Sequence, residues 1–224
     1  MWKRLQPFTQ NALHMTKKAI ADRKQKMTST TGEESMVMDE KLYGYMNWPR
    51  IEAIVYGEET APRDVMGPRI TQDGVLVQGF FPDAEEVSVI SGKKTYVCEK
   101  EDEAGYFAAL LPVRKVPQYK FRVKMGENVT ELYDPYAFAC QITEEEEKAF
   151  CAGVYYEAYK KLGAHPMEIR GVKGTLFAVW APNAISVNVV GDFNGWIGRA
   201  TIMHRMPMSG IFELFLPGVK AGAH

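Results

Sequence analysis

From residue 70 onward, short runs of Val, Phe, Tyr, Leu and Thr alternate with polar positions. They are cut at intervals by Pro-Asp, Pro-Asn or glycine. Short runs of this kind, so punctuated, predict the antiparallel strands of small β-sandwiches. The pattern also repeats. Gly74–Gly92 (GVLVQGFFPDAEEVSVISG) lies over Gly174–Asp192 (GTLFAVWAPNAISVNVVGD) at an offset of 100. Six of the 19 pairs are identical, among them Gly74/Gly174, Pro82/Pro182 and Val89/Val189. Gly105–Pro112 (GYFAALLP) then lies over Gly210–Pro217 (GIFELFLP) at an offset of 105. The chain reads as mainly β: two tandem immunoglobulin-like sandwiches, over 70–140 and 166–224, joined by a helix.

In the first unit, two further strands follow, Gln118–Lys124 and Asn128–Asp134. At the offset of 105, Tyr119 corresponds to His224. The second unit is therefore expected to stop before its closing strand, leaving an open edge and marking the chain as a fragment of a longer protein. Between the units, Thr143 with Glu146 has the spacing of a capping box, and Phe150, Val154, Ala158 and Leu162 recur every four residues. With Lys160 and Lys161 before Gly163, this predicts a connector helix within 141–165. A helical segment over 38–69, split near Pro49, is expected to pack on the first sandwich. Residues 1–37 have a local net charge of +4 and read as a weakly ordered basic extension, with Met38 a candidate natural start.

Composition narrows the function. The chain has 224 residues, 27 Lys plus Arg against 28 Asp plus Glu, and a net charge of −1. Nothing in that balance asks for nucleic acid. No apolar run approaches the ~20 residues of a membrane span. Cys98, Cys140 and Cys151 are odd in number and far apart, which argues for a reducing, cytoplasmic setting and against a zinc site. The four histidines have no partner at metal-ligand spacing, so neither a metal nor a cofactor is expected. The acidic runs Glu99–Glu103 and Glu144–Glu147 read as solvated charge.

One surface motif carries chemistry: GDFNGW, Gly191–Trp196. Pyranose faces are lined with C–H groups that pack on an aromatic ring, while a neighbouring amide can bond hydroxyls. Trp196 and Asn194 are the candidate carbohydrate-binding residues, weighed against Trp196 packing on a neighbouring domain. Phe193 is expected in the core, as is Trp180, which corresponds to Phe80. The first unit has Ser91–Tyr96 (SGKKTY) at this place and so lacks the motif.

Lys160–Met167 (KKLGAHPM), Gly171–Ala184 (GVKGTLFAVWAPNA) and GDFNGW together resemble the N-terminal part of bacterial glycogen branching enzymes, of the α-amylase superfamily. Pro62–Pro68 (PRDVMGP), Gly74–Val77 and Asp134–Phe138 (DPYAF) resemble the extra N-terminal sandwich of the longer members. Ala61–Asp64 (APRD) departs from the family, which usually has a histidine before that aspartate. The resemblance implies a (β/α)₈ barrel that forms α-1,6 branches by retaining transglycosylation through two aspartates and a glutamate. None of those residues falls in this sequence, so no catalytic residue is assigned and the chain alone is expected to be inactive. The implied partners are α-glucan chains and the catalytic barrel. The alternatives are a free-standing glycogen- or starch-binding module, or a debranching or trehalose-releasing enzyme carrying the same sandwich.

Overall fold

The computed structural model describes residues 41–224. The basic extension read over 1–37, and the start of the helical segment expected from residue 38, lie outside the described residues. Residues 45–224 form one unit. Its first element is helix α1 (Trp48–Tyr56), with Pro49 in the first turn, where a missing N–H costs nothing. Gly57, at φ +74°, ends it in the left-handed conformation, its N–H reaching the carbonyls of Ala53 and Ile54. Ile51 and Ile54 are buried.

The first sandwich contains β1 (Gly67–Ile70), β2 (Val75–Phe80), β3 (Glu86–Ser91), β4 (Lys94–Val97), β5 (Glu99–Asp102), β6 (Tyr106–Leu111), β7 (Lys120–Met125) and β8 (Asn128–Leu132). They form two antiparallel sheets in the orders β1-β2-β6-β5 and β4-β3-β7-β8. Val75, Val77, Phe107 and Leu111 from one sheet meet Val87, Val89, Phe121 and Val123 from the other. Alternate residues from each strand thus enter one apolar layer, as the period of two requires. Strands β2 and β6 are buried on both faces. On the outer one, Gln78 is fully buried and satisfied, donating to the Val65 carbonyl at 2.6 Å and accepting from the Tyr106 hydroxyl at 3.2 Å.

The second sandwich contains β9 (Gly163–Ile169), β10 (Val172–Trp180), β11 (His204–Arg205) and β12 (Ile211–Pro217), in the order β11-β12-β10-β9. This is the order β5-β6-β2-β1 of the first sandwich over again. The equivalence extends to single contacts. Phe81 N–H donates to the Gly105 carbonyl at 2.8 Å, and Ala181 N–H to that of Gly210 at 3.1 Å. A Cβ on Gly74 would lie 2.1 Å from the Leu111 oxygen, and one on Gly174 would lie 2.4 Å from that of Leu216. The sequence repeat is therefore a structural one. The facing layer differs: over 185–203, regular pairing is reduced to a bridge between Asn188 and Ile202.

The connector is a correction. Helix α2 runs only from Glu144 to Cys151, opened by the expected Thr143–Glu146 capping box. Gly153, at φ +73°, ends it: its N–H reaches the Phe150 carbonyl at 3.0 Å and that of Val154 reaches Ala149 at 3.0 Å. This double bond pattern closes the last turn around a left-handed glycine. A short 3₁₀ turn at Ala158–Lys160 follows, and Gly163, expected to end the helix, instead opens β9.

Buried carboxylates hold the connector against the second sandwich. Glu213, on β12, accepts from Gln141 and Ile142 N–H at 2.8 and 3.1 Å. Glu147, on α2, accepts from Met208 N–H, Ser209 N–H and the Ser209 hydroxyl, each at 2.8 Å. It is 1% exposed, so this member of the Glu144–Glu147 run is not solvated charge as expected; it completes the backbone bonding of the 208–209 turn. Phe138 stacks edge-on against Phe215, centroids 5.0 Å apart, and the Tyr136 hydroxyl donates to the Ile202 carbonyl at 3.1 Å.

Candidate functional site

The Gly191–Trp196 motif folds as a compact turn leaving the irregular layer of the second sandwich. Asn194 and Trp196 N–H both donate to the Gly191 carbonyl, at 3.1 and 3.0 Å. Gly195 and Trp196 lie in succession in the left-handed region, at φ +60° and +63°. Gly195 adopts this freely, whereas for tryptophan it is strained. Gly191 is favoured for another reason: a Cβ there would lie 2.5 Å from the His224 carbonyl oxygen and 2.4 Å from Cε1 of Phe193.

Asn194 and Trp196 use their polar groups differently. The Asn194 amide is engaged within the turn, with Oδ1 accepting from Gly191 N–H at 3.0 Å and Nδ2 donating to the Val189 carbonyl at 2.9 Å and Thr201 Oγ1 at 2.8 Å. Both its N–H donors are spent, and the side chain is half-buried. Thr201 Oγ1 donates in turn to the Val189 carbonyl. Trp196 points outward at 61% exposure, and its indole N–H is tied to Asp192 Oδ1 at 3.0 Å. The result is an aromatic face held at its polar edge and open to solvent. Asp192, which sequence reasoning passed over, is the residue that fixes it; its i, i+4 spacing to Trp196 within the turn was the available signal.

Two aromatic expectations are corrected. Phe193 is 39% exposed, lying against Gly191 at the rim of the turn and not in the core. Trp180 is 56% exposed, although its counterpart Phe80 is buried. It ends β10, where its indole N–H donates to the Ser209 carbonyl at 3.0 Å and Phe150 touches it edge-on, centroids 5.7 Å apart. Beside the turn, Arg199 Nη1 donates to the Val55 carbonyl at 3.3 Å, so α1 abuts the second sandwich as well.

The rest of the unit offers binding surface and little reactive chemistry. The three cysteines are free, and burial pushes the Cys98 and Cys140 thiols up to about 12, far from a reactive thiolate. His204 is half-buried, and burial with nearby Arg63 favours its neutral form. Among the described residues, no three His, Cys, Asp or Glu side chains are placed to hold a metal ion, and no helix is long and apolar enough to cross a membrane.

The chain is also similar to known proteins. Residues 47–136 match the family model for the N-terminal domain of the α-1,4-glucan branching enzyme GlgB, and residues 161–224 match carbohydrate-binding module 48, the isoamylase N-terminal domain. The chain is 40% identical over 176 residues to the 1,4-alpha-glucan branching enzyme GlgB of Saccharophagus degradans, covering 77% of this chain and 24% of that one. It is 39% identical over 171 residues to that of Kitasatospora aureofaciens, covering 76% and 22%. A pullulanase structure from Paenibacillus barengoltzii superposes on 33% of this chain and 12% of its own, at 23% identity and a TM-score of 0.29. The chain thus spans about a quarter of the length of the curated relatives it matches.

Proposed function

This chain, which joins a region matching a glycogen branching enzyme N-terminal domain to one matching a carbohydrate-binding module, is similar to the N-terminal portion of bacterial glycogen branching enzymes, and we propose that it serves as the accessory, α-glucan-binding part of such an enzyme. The observation that carries the reading is the Trp196 indole. It is exposed, anchored by Asp192, and held in a backbone conformation that tryptophan rarely adopts. Strain retained at an exposed residue is characteristic of sites selected for function over stability. A pyranose ring stacks its C–H face on such a surface. Asn194 serves as the brace that shapes the turn.

In the whole enzyme the reaction would be retaining transglycosylation, carried out by a barrel beyond the residues described, with the sandwiches orienting that barrel and retaining long glucan chains. The exposed Trp180, touched edge-on by the half-buried Phe150 of α2, suits the barrel as its docking surface. The three free cysteines suit the cytoplasm, where glycogen is stored. On this reading the 224-residue chain binds glucan and transfers nothing. Isothermal titration with maltoheptaose and soluble amylopectin tests it. Saturable heat from either, with no change in chain-length distribution after prolonged incubation, is expected. Absence of heat from both would contradict it.

A further inference from the structure

Basic side chains gather at one end of the first sandwich. The β3–β4 turn is Gly92, at φ +58°, followed by Lys93, and Ser91 pairs with Lys94 across it. The Ser91 hydroxyl donates to the Gln118 carbonyl at 3.0 Å and Ile90 pairs with Lys120, so this hairpin lies against the start of β7. Arg114 and Lys115 belong to the segment that links the end of β6 to that same point. Lys93, Lys94, Arg114 and Lys115 are all exposed, and among the described residues none of these side chains enters an ion pair or a hydrogen bond. Lys120 lies over the Tyr133 ring, 4.8 Å from its centroid. Asp73, in the neighbouring β1–β2 turn, accepts from the Tyr45 hydroxyl at 2.7 Å. Glu103 and Glu127 occupy the β5–β6 and β7–β8 turns at the opposite end. The near-zero net charge of the chain thus conceals a local separation of charge, and crowded cations without partners favour an anion beside them.

The internal repeat places this end opposite the sugar turn. Ser91–Tyr96 lies over Gly191–Trp196, so Lys93 and Lys94 stand where the second unit has Phe193 and Asn194, and the half-buried Tyr96 stands where it has Trp196. We propose that the basic end of the first sandwich binds phosphate monoesters carried on α-glucan chains, an inference that rests on the glucan-binding reading for its choice of polymer. An unmodified α-glucan is neutral. Esterifying one hydroxyl with phosphate leaves every glycosidic bond in place and adds about −1.5 to −2 charges at pH 7. A group of that charge engages several cations at once: the Arg114 guanidinium through its planar fork, and the Lys93, Lys94 and Lys115 ammoniums as point charges. The two sandwiches then divide the work, the second stacking neutral pyranose faces on Trp196 and the first selecting chains that bear phosphate. Because these cations are exposed, their attraction is screened by salt.

The experiment runs the full chain through affinity gels containing chemically phosphorylated amylopectin, or the same polymer after alkaline phosphatase, each compared with a glucan-free gel. Affinity about threefold or more higher for the phosphorylated polymer is expected at low salt, with the excess shrinking as sodium chloride is added. Combining Lys93→Gln, Lys94→Gln, Arg114→Gln and Lys115→Gln is expected to abolish the excess and leave binding of the dephosphorylated polymer unchanged. All four positions are exposed, and an unaltered thermal midpoint shows that this variant folds. Trp196→Ala is expected to lose the dephosphorylated polymer and keep a phosphate-dependent retardation, so failure of the sugar-platform reading and failure of this proposal give different results. Equal affinity of the unaltered chain for the two polymers would overturn the proposal. Duplex DNA bound at least as tightly through the same four residues would overturn it too, by showing a general polyanion surface. So would self-association that the combined variant abolishes, with no phosphate-dependent excess, since the occupant would then be the acidic end of a second copy.

Discussion

The indole N–H of Trp196 donates to Asp192 Oδ1 at 3.0 Å, four residues back across a turn whose last two positions before the ring are glycine and a strained tryptophan backbone. Stability and binding should therefore separate at this residue. Trp196→Gly removes the left-handed strain, worth on the order of 1–2 kcal/mol, along with little burial. It is expected to unfold at the same or higher urea concentration than the unaltered chain while losing glucan affinity. Asp192→Ala frees the ring to rotate and is expected to weaken maltoheptaose binding several-fold without abolishing it.

Asn194 predicts the opposite division. Its amide makes three bonds inside the turn, and Asn194→Ala leaves Gly191 N–H, the Val189 carbonyl and Thr201 Oγ1 with reduced partners. Loss of one buried partner costs about 1–3 kcal/mol. Urea denaturation of Asn194→Ala is expected to fall in this range, with glucan affinity lost in proportion to the turn's disorder. A variant as stable as the parent would show that the turn is held by its backbone alone.

The junction depends on Glu147. Its carboxylate satisfies two N–H groups and a hydroxyl at 208–209, all out of water. Glu147→Ala strands these donors and is expected to cost about 3 kcal/mol, at the upper end for a buried polar deletion. Glu144→Ala, on the exposed side of the same helix, is expected to stay within about 0.5 kcal/mol, since its pair with Lys148 is a surface one. Thermal melts of the two variants compare them directly.

Asp134 gives a pH dependence. Burial raises its carboxyl from the ordinary 3.8 to about 6, against the hydrogen bonds from the Tyr119 hydroxyl and Tyr136 N–H that favour the charged form. The native state therefore holds the proton more tightly than the unfolded chain. Its contribution is full below pH 3.8 and is lost as pH rises through about 6, a swing of about 3 kcal/mol. The stability difference between the unaltered chain and Asp134→Asn should fall from pH 4 to pH 7. A flat difference would place the burial effect elsewhere.

The strands and the repeat were legible because apolar runs such as β2 and β6 are buried on both faces while β7 alternates over a single buried face, and because Gly74 and Gly174 each sit where a side chain would strike a neighbouring carbonyl. The length of α2 was not, because Phe150, Val154, Ala158 and Leu162 keep helical spacing by coincidence while Gly153 ends the helix after Cys151. Trp180 was misplaced because equivalence to Phe80 predicts direction along a strand and not what covers it; in the second sandwich Phe150 covers only an edge. Glu147 looked solvated for a related reason. Its partners at 208–209 are about 60 residues away in sequence, and only the folded junction brings them to it.

The central claim is that Trp196 is a sugar platform, and affinity electrophoresis through a glycogen-containing gel tests it most directly. The unaltered chain and Trp196→Phe, which keeps an aromatic face, are expected to be retarded, whereas Trp196→Ala, shown folded by its thermal melt, is expected to run as in a glycogen-free gel. Equal retardation of Trp196→Ala and the unaltered chain would contradict the claim and assign Trp196 to packing against another domain.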